Sequence, residues 1–107
     1  MEISVQDRGE VRILQLAGRF DASVVSEFKQ AVQLGEKEGQ QRFVVDLSAL
    51  TFLDSSGLGA LVASLRGIAQ NGGDMRLAAP GPEVQALLEL TRLDRVFDIY
   101  PEVDGAV

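Results

Sequence analysis

The stretch that most limits what this chain can fold into is Arg42-Phe43-Val44-Val45-Asp46-Leu47, a nearly unbroken apolar run rich in β-branched residues. It lacks the in-out alternation of a half-covered strand and suits a central strand buried on both faces, as in sheets with parallel neighbours and helical crossovers. A helical period follows. Leu58, Leu61, Val62, Leu65, Ile68 and Ala69 recur at i, i+3, i+4, i+7, i+10 and i+11, and Asn71-Gly72-Gly73 supplies a left-handed stop.

The flanking segments repeat this strand-to-helix change. Ile3-Ser4-Val5 and Val11-Arg12-Ile13-Leu14-Gln15-Leu16 alternate around Asp7-Arg8-Gly9-Glu10 and predict a hairpin. Val24, Val25, Phe28, Ala31 and Val32 predict a helix over Ser23 to Lys37, closed by Gly35 and Gly39. Met75 to Ala79 is the next strand, ended by Pro80-Gly81-Pro82. A third helix carries Val84, Leu87, Leu88 and Thr91, and Val96 to Tyr100 is a last strand or short helix. The expected fold is α/β: one domain over 1–107 with a mixed, mainly parallel sheet of four to five strands, packed with three to four helices. The first strand is an antiparallel edge, and residues 102–107 are expected to fray. Arg12, Arg42 and Arg76 are expected at an exposed sheet edge or at strand ends, without a role. Glu36, Glu38, Glu83, Glu89, Asp94 and Asp98 are expected to serve solvation.

Composition narrows the chemistry. The 107 residues include no His and no Cys, which removes the commonest metal ligands, thiol nucleophiles, the imidazole base and disulfides. No metal site or cofactor is expected. Ten basic against 16 acidic residues give a formal net charge of −6, which disfavours nucleic acid and anionic lipid and points to a protein partner with a neutral or basic face. Met1 to Asp7 has no basic n-region and no long apolar run, so no signal peptide or membrane insertion is expected and the chain reads as cytoplasmic. Nothing demands more than a monomer.

Two polar segments could carry function. Gly18-Arg19-Phe20-Asp21 ends the second strand, and Asp54-Ser55-Ser56-Gly57-Leu58-Gly59 lies between the central strand and the helix after it. Parallel strands would bring both to one carboxyl edge, where open α/β sheets place their sites. Asp21 and Asp54 or Ser55 can each be explained as helix caps. Capping accounts for only one of the three polar residues in the second segment. Small hydroxyls with Gly57 and Gly59 leave an open helix start that suits a phosphate, either on a ligand or made on a serine. Gly57-Leu58-Gly59 lacks the second half of a dinucleotide fingerprint, no Walker loop is present, and a serine-hydrolase elbow lacks both its glycine and its histidine. A carboxylate enzyme using Asp21 and Asp54 has no pocket or cofactor motif to support it.

Gly18-Arg19-Phe20-Asp21, Val44-Val45-Asp46-Leu47, Phe52-Leu53-Asp54-Ser55-Ser56-Gly57-Leu58-Gly59-Ala60-Leu61 and Asn71-Gly72-Gly73 together resemble the anti-sigma factor antagonist branch of the STAS domain family. The resemblance covers essentially the whole chain; its specific element is Asp-Ser-Ser-Gly-Leu-Gly. It implies a non-enzymatic partner switch. The unphosphorylated form would bind an anti-sigma factor that is also a serine kinase of the histidine-kinase-like ATPase type, releasing a sigma factor or equivalent target. Phosphorylation of Ser55 would switch it off, and a serine phosphatase would restore it. The implied partner-binding residues are Asp21, Asp54, Ser55, Ser56, Gly57 and Leu58. Phe20 stands where the family commonly has leucine, a conservative departure. The alternative is a STAS scaffold subunit of a lipid ABC transporter or of a stressosome-type complex.

Overall fold

A computed structural model describes residues 1–107. The strands are β1 (Glu2–Arg8), β2 (Val11–Phe20), β3 (Arg42–Leu53), β4 (Asp74–Ala78) and β5 (Ile99–Tyr100); the helices are α1 (Val25–Lys37), α2 (Ser55–Gln70), α3 (Pro82–Leu90) and α4 (Val103–Ala106). Short 3₁₀ turns at Ala22–Val24 and Leu93–Arg95 lead into α1 and follow α3. The sheet order is β1-β2-β3-β4-β5. β1 is antiparallel to β2, and every other pair is parallel, as the strand-helix alternation requires.

β3 occupies the centre, and Phe43 through Leu47 are all buried. On one face Leu14, Leu16, Phe43, Val45, Leu47, Met75 and Leu77 meet Phe28 and Val32 of α1, Leu58, Leu61 and Ile68 of α2, and Val84 and Leu88 of α3 in one core of 19 buried residues. On the other face Val11, Ile13, Val44 and Ala78 form a smaller cluster with Ala106, with Val103 and Tyr100 packed against it. The central strand is therefore dry on both sides because α4 folds back over the second face.

Three expectations are corrected. Residues 102–107 do not fray: Val103–Ala106 is helical, Ala106 is buried, and its carbonyl accepts from Arg76 Nη1 at 3.2 Å. The small residues of the tail gave no amphipathic signal at that length. Arg12 lies at the start of β2, a strand end as expected, but it is neither exposed nor without a role. Its guanidinium is buried between β1 and the end of α1, donating from Nε to Asp7 at 2.8 Å and from Nη1 to Glu38 at 2.9 Å. Glu38 thus serves as an ion-pair partner as well as a solvated acid. Arg42 is exposed at the start of β3, a strand end, as expected.

β3 also runs six residues beyond Leu47, to Leu53. Ser48, Ala49 and Thr51 interrupt its apolar pattern, and register shifts against β2 lie between Gln15 and Ala17 and between Gly18 and Arg19. These irregularities hide the strand in the sequence while its ladder continues to Phe20↔Leu53. No helix is long and apolar enough to cross a membrane.

Candidate functional site

The last pair of the β2-β3 ladder, Phe20 and Leu53, delivers the two polar segments to one edge. Phe20 is fully buried, its ring 5.1 Å from that of Phe28. That anchor holds Asp21 at the surface. The Asp54 backbone N–H donates to the Phe20 carbonyl at 3.3 Å, so the two segments are hydrogen-bonded neighbours, as the parallel reading predicts.

Asp54 is the cap of α2. Its backbone is extended, with φ −109° and ψ −173°, and Oδ1 accepts from the Gly57 N–H at 3.0 Å while the Leu58 N–H reaches the Asp54 carbonyl at 2.9 Å. One carboxylate thereby satisfies one of the orphan amides of the helix start. Ser55 is exposed, and the capping bond is made without it. Ser56 is half-buried, while Gly57 and Leu58 are buried beneath the turn. A side chain on Gly57 would meet the Leu53 methyl at 2.6 Å and the Phe20 carbonyl at 2.7 Å. Gly57 is therefore a close-packing position, and Gly59, with nothing near its Cβ direction, is not.

Asp21 is half-buried and caps the 3₁₀ turn before α1, accepting from the Ser23 hydroxyl at 2.5 Å and the Ser23 N–H at 3.0 Å. Those two bonds, the hydroxyl's first, hold its carboxyl below the ordinary range. Both capping explanations offered by the sequence are therefore correct. They coexist with exposure at the rim, so the edge presents two carboxylates and a free serine hydroxyl beside a helix N-terminus.

Sequence reasoning missed the groove beside this edge. Ser55, Leu58, Val62 and Arg66 of α2 face Thr91 and Leu93 across an open depression of about 440 Å³. The spacing Ser55, Gly59, Val62, Arg66 was legible as a helical stripe, but its far wall follows α3 and has no local signal. The Arg19 guanidinium also stacks 3.9 Å from the centroid of the Phe52 ring, directly before Asp21. Only the β2-β3 register reveals that pair. No three acids converge to hold a metal ion.

Residues 2–106 match the STAS domain model. The anti-sigma F factor antagonist of Paenibacillus polymyxa is 31% identical over 104 residues, which cover 94% of this chain and 86% of that protein. The anti-sigma-B factor antagonist of Listeria monocytogenes is 25% identical over 99 residues, covering 92% and 86%. The crystal structure of an anti-sigma factor antagonist from Mycobacterium paratuberculosis superposes with a TM-score of 0.87 at 30% identity, covering 98% of this chain and 89% of that one. With its specific motif at the carboxyl edge and its whole length matched, the chain belongs to the STAS domain family and is similar to that family's anti-sigma factor antagonists.

Proposed function

We propose that this protein is an anti-sigma factor antagonist working as a phosphorylation-controlled binding module. In its unphosphorylated state it binds an anti-sigma factor that is also an ATP-dependent serine kinase and so frees the sigma factor or an equivalent target. It catalyses nothing itself; a serine phosphatase returns it to the binding state. Asp21, Asp54, Ser55, Ser56, Gly57 and Leu58 form the contact surface, with Ser55 the phosphoacceptor. The observation that carries this reading is the division of labour at the start of α2: Asp54 makes the cap, which leaves Ser55 exposed and spare.

The physics of the switch follows from that position. A phosphoserine adds about −1.5 to −2 charge at a helix N-terminus, which tolerates an anion, so the fold need not change. In a close-packed interface the same group stands beside Asp54 and opposes a partner already holding nucleotide phosphates. Repulsion and uncompensated desolvation of this kind cost roughly 2–5 kcal/mol, about 30-fold to several thousand-fold in affinity.

Intact-mass spectrometry with peptide mapping, on protein isolated from its native host before and after stress or starvation, tests the proposal. A phosphate of about 80 Da on Ser55 that varies with condition supports it. Lasting absence of modification, with co-purification of an ATPase or membrane complex, would favour the scaffold role.

A further inference from the structure

We propose that β1 is a homodimerisation strand, pairing antiparallel with β1 of a second copy of this chain about a two-fold axis at Val5. β1 ends the sheet, with β2 on one side and nothing on the other. It is seven residues long and exposed along nearly its whole length. Val5 is 53% exposed at its midpoint.

The hairpin geometry sets which backbone groups are free. Arg8 pairs with Val11 across the two residues Gly9 and Glu10, and Gly9, at φ 59°, takes the first turn position that favours glycine. The pair closing a two-residue loop exchanges its hydrogen bonds, and alternation along an antiparallel ladder then turns Gln6, Ser4 and Glu2 toward β2. The N–H and C=O groups of Asp7, Val5 and Ile3 point outward. A second β1 overlapping at full length about Val5 meets these groups in phase: Val5 faces the partner's Val5, and Ile3 faces the partner's Asp7.

The side chains favour the same register. It sets Glu2 opposite the partner's Arg8 at both ends of the ribbon, in pairs without mutual backbone bonds, where side chains stand closest. Arg8 already binds Asp104 through Nη1 at 2.6 Å, and a guanidinium has donors to spare for a second carboxylate. Asp7, opposite Ile3, is neutralised by its own Arg12 through bonds of 2.8 and 3.0 Å. A register moved toward the N-terminus would bring two apolar residues together but leave Arg8 past the end of its partner. None of the site residues on α2 lies in this edge, so the dimer leaves Ser55 open. The sequence demanded only a monomer; the free strand supplies the reason for more.

The interface is small, and self-association should be weak. Sedimentation equilibrium of the full chain from about 10 μM to 1 mM measures it. Val5→Pro removes the outward donor at an edge position that accepts proline, and should weaken association at least about tenfold with the circular dichroism spectrum unchanged. Glu2→Arg and Arg8→Glu should each weaken self-association similarly. Mixed, they should form a heterodimer, because both end pairs are again opposite in charge. A wild-type chain that stays monomeric to 1 mM, a Val5→Pro dimer as tight as wild type, or a mixture that associates no better than its components overturns the proposal.

Discussion

A Cβ on Gly57 would stand 2.7 Å from the carbonyl oxygen of Phe20. The start of α2 is seated on the end of β2 through an approach only glycine allows. Gly57→Ala must displace the Phe20 backbone as well as the Leu53 methyl, and should cost about 1–3 kcal/mol. Gly59→Ala, two residues on in the same helix with no atom within 4 Å, should stabilise by roughly 0.5–1 kcal/mol through helix propensity. Urea denaturation of the two variants checks the opposite signs.

Capping and recognition can be separated at Asp54. Asp54→Ala removes the acceptor of the Gly57 N–H and should destabilise by about 1 kcal/mol, while Asp54→Asn keeps an acceptor and should change stability by only a few tenths. Under the proposed function, the asparagine variant still loses a carboxylate at the contact surface. Thermal unfolding together with titration of the kinase partner should show stability retained and affinity changed for Asp54→Asn.

What could be read from the sequence was whatever local spacing encodes. The apolar run at Phe43–Leu47 gave the buried central strand, the period through Leu58–Ala69 gave α2, and parallel connectivity gave the shared edge of the segments that carry Asp21 and Asp54. The groove between α2 and Leu93 was illegible because its walls are distant in sequence. Arg12 misled for a related reason. Alternation placed it on a strand, but its burial depends on Glu38, 26 residues away at the end of α1.

That buried guanidinium gives the acid limb of stability a definite sign. Hydrogen bonding from Arg12, ahead of its Coulombic pull, holds the Asp7 carboxyl below its ordinary value of 3.8. A carboxyl with a lower pKa folded than unfolded stabilises above about pH 4, and the contribution is lost as pH falls through the folded value. Arg12→Met should destabilise by about 1 kcal/mol near neutrality, since both carboxylates are half-exposed and return to water. The difference from wild type should shrink from pH 5 toward pH 2. Denaturant titrations across that range measure it; a gap that widens in acid would contradict the assignment.

The C-terminal helix offers the sharpest contrast between a covering element and a frayed end. Ala106 is 1% exposed and completes the cluster over Val11, Ile13, Val44 and Ala78. Removing residues 103–107 returns part of that cluster to water and strips Arg76 of the Ala106 carbonyl; the loss should be about 2 kcal/mol. Ala106→Asp should be at least as costly, because it buries a carboxylate without a dedicated partner. Asp104→Ala breaks only the exposed bridge to Arg8 and should stay within about 0.5 kcal/mol. If guanidinium unfolding found truncation as mild as Asp104→Ala, the helix would be an ornament on the second face. Both faces of β3 are dry only with α4 in place, so the expected ranking puts the truncation and Ala106→Asp well below Asp104→Ala in stability.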